Sequence, residues 1–213
     1  MKNIADIRQE YTKSGLRESE LPCDPLSLFS RWLQEAIDAN VEEPTAVIVG
    51  TVSPEGRPST RTVLLKGLHD GKFIFYTNYE SRKGRQLAQN PYISLSFVWH
   101  ELERQVHIEG TAAKVSPEES DEYFRKRHYK SRIGARISPQ SQPIASRMQL
   151  IRAFVKEAAR WLGKEVERPD NWGGYAVTPT RMEFWQGRPN RLHDRFLYTL
   201  KTDGKWEINR LSP

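Results

Sequence analysis

The sequence predicts an α+β fold, an antiparallel β-barrel with flanking helices. Three observations carry that expectation. Between Thr45 and Val115, short runs rich in β-branched residues alternate with tight turn signals, the pattern of successive hairpins. Two stretches, 25–39 and 143–162, repeat apolar residues at helical spacing. After Trp172 the strand pattern returns and continues almost to Pro213, so the last strands complete the barrel.

With 213 residues the chain suits one large domain and can bury a sizeable core. Residues 1–22 are charged and weakly periodic and read as an arm, whereas 23–213 read as a single domain. Hydrophobic content is 37% and mean hydropathy is −0.71, polar for a globular chain. Six Trp, eight Tyr and eight Phe are nevertheless enough to build a core. The single cysteine, Cys23, excludes an internal disulfide and any multi-cysteine metal site. No apolar run reaches transmembrane length, and the opening Met-Lys-Asn-Ile-Ala-Asp lacks the core of a signal peptide. A cytoplasmic protein with no membrane contact is therefore expected. A net charge of +6 fits nucleic acid and small phosphorylated ligands equally. What separates the two is whether the cations form a stripe or converge on pockets.

Taken in order, Arg8–Arg17 reads as a short helix ended by Gly15, or as an arm. Asp24-Pro25 is an N-cap followed by a first-turn proline. Leu26, Phe29, Trp32, Leu33, Ala36 and Ile37 then mark an amphipathic helix over 25–39. Strands are expected at 45–53, 60–66 and 72–77, a short helix at 81–88 with a basic first turn, and strands at 91–99 and 104–115. Ser116-Pro117-Glu118-Glu119 is a capping box that starts a helix reaching about His128. A polar loop over 129–142 leads to a helix over 143–162, with Ile144, Met148, Ile151, Phe154, Val155 and Ala158 on one face. Four strands follow, at 174–178, 181–186, 194–201 and 205–211.

The stretch hardest to explain as scaffolding is Trp185–Arg195, Trp-Gln-Gly-Arg-Pro-Asn-Arg-Leu-His-Asp-Arg. It should form a hairpin loop with its strand ends. Arg191 and His193, two apart, would face the same way on an extended chain. A guanidinium beside an imidazole suits an anionic or proton-transferring substrate, although the same residues also fit an ordinary charged loop. Arg61 and Lys66 lie five apart and face opposite sides of a strand, so each could serve a different ligand, or both could be exposed strand ends. Ser81-Arg82-Lys83 would bring free N–H groups, a hydroxyl and two cations together at a helix start, which suits a phosphate as well as a plain capped helix. Tyr123 and Arg127 share a helix face, and Ser131 could swing in from the loop to make a second phosphate site. The surrounding 125–132 segment is also the best nucleic-acid patch, since basic and aromatic residues interleave there. Gln105 and Gln140-Ser141 offer groups that hydrogen-bond a heterocycle. His69, His100, His107 and His128 lack partners at metal spacing, so no metal is expected.

As an ordered set, Arg8-Gln-Glu-Tyr11, Arg61-Thr-Val-Leu-Leu-Lys66, Phe75-Tyr-Thr-Asn78, Ser81-Arg-Lys83, Trp99-His-Glu-Leu-Glu-Arg-Gln105 and Phe184-Trp-Gln-Gly with Arg191-Leu-His-Asp-Arg-Phe196 resemble the pyridoxine (pyridoxamine) 5′-phosphate oxidase family. The likeness runs from about Arg8 to Arg210-Leu-Ser-Pro213. It implies an FMN-binding split β-barrel working as a homodimer, with FMN at the subunit interface. By this resemblance Arg61, Arg82 and Lys83 hold the FMN phosphate, while Thr62, Val63, Leu64, Leu65, Tyr76 and Thr77 line the flavin. Gln105, Gln140, Ser141, Trp185 and Arg195 complete that site, some from the second subunit. Lys66 falls in both the cofactor set and the substrate set. With Tyr123, Arg127 and Ser131 it would grip the substrate phosphate. Arg191 and His193 would face the pyridine ring as the catalytic pair, and Arg8 and Tyr11 match an arm that closes over the substrate. The implied reaction oxidises pyridoxine 5′-phosphate or pyridoxamine 5′-phosphate to pyridoxal 5′-phosphate. Hydride passes from C4′ to flavin N5, and O₂ is reduced to H₂O₂. Neither nucleic acid nor membrane is an implied partner.

Overall fold

In the computed structural model, residue 3, residues 10–13 and residues 15–213 are described. One antiparallel sheet organises them. Its strands are β1 (Ala46–Val52), β2 (Pro58–Leu64), β3 (Gly67–His69), β4 (Lys72–Asn78), β5 (Tyr92–Trp99), β6 (Arg104–Lys114), β7 (Trp172–Gln186), β8 (Asp194–Leu200) and β9 (Trp206–Leu211). They run in the order β2-β1-β5-β6-β7-β4-β3, with β8 paired to β7 and β9 to β8. The sheet curls around a core built from Phe73, Phe75, Phe97, Trp99, Phe184, Phe196 and Tyr198.

The strand β7 decides the architecture. One edge pairs with β6 along nearly its whole length. The other edge is shared: Trp172–Val177 pair with β4, and Arg181–Gln186 pair with β8. The sequence suggested two strands here, broken at Pro179. Instead the chain runs through as one strand of 15 residues. Pro179 sits at the register shift between Glu109 and Gly110 of β6, where its missing N–H breaks no regular ladder.

Helix α1 (Pro25–Asp38) closes the curled sheet. Asp24 caps it by accepting from the Leu26 and Ser27 amides, and Pro25 holds the first position. The buried stripe is Leu28, Phe29, Trp32 and Ala36; Ile37, expected on it, is exposed. Phe29 meets Phe73 and Phe97 edge-on at 4.9 Å each, and Trp32 meets Phe184 at 5.3 Å. One helix therefore ties β4, β5 and β7 together.

Helices α2 (Arg82–Gln89), α3 (Pro117–Lys126), α4 (Tyr129–Ile137) and α5 (Arg147–Arg160) flank the sheet. The segment expected as a polar loop over 129–142 is mostly α4. Its hidden driver is Ile133, fully buried among Phe124, Val166 and Trp172. The expected helix over 143–162 is shorter at both ends and is capped by Ser146. No residue of α5 is buried: Phe154 and Ala158 turn toward the small cluster, and Met148, Ile151 and Val155 are exposed. The strand expected over 60–66 starts two residues earlier and ends at Leu64, and the helix expected to reach His128 ends at Lys126.

Phe29 is fully buried between the helix and strands β4 and β5, so truncating it should leave a cavity that cannot collapse. Phe29→Ala should cost about 3–5 kcal/mol of unfolding free energy in urea titration. A loss below about 1 kcal/mol would mean α1 does not hold the sheet closed.

Candidate functional site

The candidate residues fall into two groups. The first lies where β2, β4 and α2 meet. Arg61 projects from β2, and its fork is held by neighbours on two strands. Nη1 donates to the Val49 carbonyl at 3.1 Å and to Thr51 Oγ1 at 2.7 Å; Nη2 donates to Ser59 Oγ at 2.8 Å. Both hydroxyls then donate to the buried Gln86 Oε1, at 2.5 and 3.0 Å. Every one of these acceptors is uncharged, so the network fixes the guanidinium without neutralising it.

Lys83 is buried beside it. Its Nζ donates to Thr77 Oγ1 at 2.7 Å, Gln140 Oε1 at 3.3 Å and Ser81 Oγ at 3.5 Å. Burial, and then the positive charge of Arg61, pushes its pKa down to about 8. The same causes act on Arg61, lowered first by burial and then by Arg82. Three cations thus repel one another at the start of α2, where Ser81 caps the helix through the Gly84 amide. Gly84 is required there, because a Cβ would overlap the Tyr79 carbonyl. Like charges held by neutral groups at a helix N-terminus form a cradle for a dianion.

Next to the cradle stands an aromatic ladder. Tyr76 stacks on Tyr123 at 3.8 Å, and both rings lie nearly parallel to Trp172, at 5.6 and 6.2 Å. The Arg127 guanidinium rests on Trp172 at 4.5 Å, and its buried Nη1 has no hydrogen-bond partner. Tyr123 and Arg127 do come together, although Arg127 is the C-cap of α3 rather than a residue inside it. Lys66 follows β2, is exposed, and pairs its amide with the Ile74 carbonyl on β4, two residues from Tyr76. Ser131 does not swing in from a loop; it is exposed on the first turn of α4. Of the residues expected along the flavin, Thr62 and Leu64 are exposed, whereas Val63 is half-buried and Leu65 buried. Ser141 adopts a positive φ of 68° beside Gln140.

The second group lies at the opposite end of β7. Trp185, His193 and Tyr11 pack ring to ring, with centroids 4.7–5.4 Å apart. His193 Nδ1 accepts from the Arg188 amide at 3.1 Å, so its neutral form carries the proton on Nε2. Burial, then Arg191, lowers its pKa, against a smaller opposing pull from Asp194. The expected alternation of Arg191 and His193 on an extended chain is not found: Asn190 and Arg191 have φ of 57° and 60° in a tight turn. Arg191 still lies close enough to act on the imidazole. Arg195 is tied to Glu183 at 2.8 Å and to the Ser212 carbonyl, and Gln105, paired with Trp185 across β6 and β7, accepts at Oε1 from His107 Nε2 at 3.2 Å.

An anchor the sequence did not signal holds the arm here. The Glu103 carboxylate accepts from the Thr12 and Lys13 amides at 3.0 Å each, and Asp194 accepts from the Leu16 amide at 3.1 Å. The tethered segment includes Tyr11, whose ring meets Trp185 edge-on at 5.4 Å. Arg8 lies outside the described residues.

A curled antiparallel sheet with flanking helices, an anion cradle at one end of β7 and an aromatic-cationic hairpin at the other define a protein of the split-barrel class. The comparisons give its family. A family model described as pyridoxamine 5′-phosphate oxidase matches residues 33–164, and one described as a pyridoxine 5′-phosphate oxidase C-terminal dimerisation region matches 172–213. The chain is 99% identical over 213 residues, all of both sequences, to a pyridoxine/pyridoxamine 5′-phosphate oxidase of Bacteroides thetaiotaomicron. It is 58% identical to one of Porphyromonas gingivalis over 211 residues, 99% of each. Among solved structures, PhzG of Burkholderia lata, in complex with tetrahydrophenazine-1-carboxylic acid, superposes with TM-score 0.87 and 32% identity, over 92% of this chain and 95% of that one. The chain belongs to the pyridoxamine 5′-phosphate oxidase family, whose cofactor is FMN and whose members are oxidoreductases. A cradle of three cations without a carboxylate partner among the described residues fits the phosphate of that cofactor. No described helix is long and apolar enough to cross a membrane.

Because Lys83 has a pKa of about 8 when the cradle is empty, a bound dianion must restore its proton above that pH. Below pH 8 the lysine is charged in both states, and affinity is level. As pH rises past 8, binding draws in a proton and weakens. Equilibrium dialysis of FMN from pH 7 to 9.5 should therefore show a flat region and then a fall, and Lys83→Met should remove the fall. An unchanged profile in the variant would take Lys83 out of the cradle.

Proposed function

We propose that Arg61, Arg82 and Lys83 hold the FMN phosphate, that Lys66, Tyr123 and Arg127 hold the phosphate of pyridoxine 5′-phosphate or pyridoxamine 5′-phosphate, and that Arg191 and His193 from a second copy of the chain face the substrate ring. The product is pyridoxal 5′-phosphate. Bound FMN supplies the two-electron acceptor that the side chains lack, with O₂ as the final acceptor and H₂O₂ released. All other steps belong to the chain's own residues. Two separate anion grips fix the spacing and tilt of cofactor and substrate, an orientation effect. Arg191 brings a permanent positive charge to the ring's polar edge. His193, neutral at pH 7 because of its lowered pKa, donates from Nε2 rather than accepting at Nδ1. Tyr11 and Trp185 cover the ring and exclude water.

The observation that carries this reading is the separation of the two groups along β7. Thr77 pairs with Gly173 and Gln105 pairs with Trp185, so cradle and hairpin are separated by up to roughly 40 Å of strand contour. A single substrate ring spans far less. A two-fold partner brings its hairpin to this chain's cradle, in keeping with the dimerisation region matched at 172–213.

Complementation tests it. Arg61→Ala disables the cradle and Arg191→Ala disables the hairpin. Co-expressed, the two should form mixed dimers with one intact composite site each, restoring about a quarter of wild-type turnover in the mixture. If both groups served a site within one chain, every site would carry a defect and turnover would stay at background. Alone, Arg191→Ala should lose turnover while retaining FMN; unchanged turnover would remove Arg191 from the reaction.

A further inference from the structure

Arg127, like Arg61 and Arg132, is a partly buried arginine without a carboxylate partner among the described residues. Arg104, Arg136, Arg168 and Arg195 each form an ion pair with a carboxylate. Arg127 has none among the described residues. The influences on its proton affinity are burial, which lowers it, and a smaller effect of Tyr123. Its Nη1 is buried and unpartnered. Its position is set instead by aromatic faces: Trp172 at 4.5 Å and, farther away, Phe124 at 5.6 Å.

Trp172 is itself rigidly held. Its amide donates to the Pro169 carbonyl at 3.0 Å, and its carbonyl accepts from Arg168 at 2.7 Å. It pairs with Asn78 at the end of β4, one residue from the Thr77–Gly173 pair. The indole lies within 7° of parallel to Tyr123 and within 13° of parallel to Tyr76. One ring thus supports Arg127 and lines up both tyrosines, and its backbone pairs with Asn78, the neighbour of the threonine that binds Lys83.

We propose that Trp172 is the positioning residue of the substrate-phosphate grip: it orients Arg127 by a cation–π contact that leaves the guanidinium charge free for the substrate's phosphate. This rests on the reading of Arg127 as part of that grip. A carboxylate would orient the side chain equally well, but it would satisfy Nη1 and cancel the charge that the phosphate needs. The π face attracts the cation and offers no competing hydrogen-bond acceptor. The strand register between Trp172 and Asn78 also fixes how far the grip lies from the flavin cradle.

The test uses FMN-loaded enzyme and four variants: Trp172→Leu, Trp172→Phe, Arg127→Ala and the double variant Arg127→Ala/Trp172→Leu. Steady-state kinetics with pyridoxine 5′-phosphate, inhibition by inorganic phosphate and FMN content are measured for each. Trp172→Leu should raise KM and the phosphate inhibition constant roughly tenfold, with kcat within about twofold. FMN content should stay at the wild-type level. Trp172→Phe, which keeps a ring and most of the packing, should raise KM only about threefold. It also keeps the test open should Trp172→Leu fail to fold. In the Arg127→Ala background, replacing Trp172 should add nothing further to KM. An unchanged KM in both Trp172 variants, alongside a raised KM in Arg127→Ala, overturns the role of Trp172 and leaves the grip standing. Fully additive effects in the double variant overturn it too, since Trp172 would then act through packing alone. Should Arg127→Ala itself leave KM unchanged, the grip falls, and the inference with it.

Discussion

The constraint on which the rest depends is the shared edge of β7. A strand with β4 on the first half of one edge and β8 on the second half must bend where the two meet, and the register shift opposite Pro179 supplies the bend. The sheet therefore curls on both sides of one strand and presents chemistry at both ends. Near Trp172 the ladder aligns Tyr76, Thr77 and Asn78. Near Trp185 it aligns Gln105 and Arg195. Neither group could be moved without changing which strand β7 pairs with, so the separation of cradle and hairpin follows from the topology.

Within that frame, the electrostatics of the two ends differ in a way that matters for ligands. At the hairpin, most charges are balanced: Arg195 with Glu183, Arg210 with Glu18 and Asp194, Arg188 with Asp194. At the cradle and on the ladder, the cations are surrounded by hydroxyls, amides and rings. Burying a charge without a counter-charge is costly, and here the cost is visible as the depressed pKa of Lys83 and the orphaned Nη1 of Arg127. In the proposed arrangement the cofactor's phosphate would relieve the first and the substrate's phosphate the second. Gln86, Thr51 and Ser59 make this possible, because they fix the Arg61 fork while leaving its charge intact.

Much of the fold was legible in the sequence, because strands of period two and a capped apolar helix are local patterns. Where expectation failed, a local signal misled. Pro179 read as a break because its tolerance at a bulge depends on β6, far away in sequence. The helix α4 read as a loop because Gly134 and a run of basic residues outweigh one buried isoleucine, Ile133. In the site, the cations Arg61, Lys83 and Arg127 stood out, whereas Thr51, Ser59 and Gln86 did not. Their role exists only once β1 and β2 pair Thr51 with Ser59 and place α2 behind them. Glu103 was silent for the same reason, its partners being ninety residues away. The pairing of Arg191 with His193 was assumed from strand alternation, which positive φ at Asn190 and Arg191 abolishes.

In the proposed arrangement, cofactor binding and assembly are coupled by necessity. A cradle of mutually repelling cations gains most from a dianion, and the ring attached to that dianion would lie against the hairpin of the other copy. Whatever factor the partner's hairpin adds to FMN affinity, FMN must add to the affinity of the two copies for each other. The charge pattern gives that coupling its direction. An empty cradle carries its repulsion in full, so the assembled apo form keeps the electrostatic strain that the bound phosphate removes. The arm reinforces the coupling: Tyr11 packs on Trp185 and His193, and Glu103 holds its backbone. The half of the site that meets the substrate ring is therefore already ordered within one chain, and association has only to bring it to the other chain's cradle.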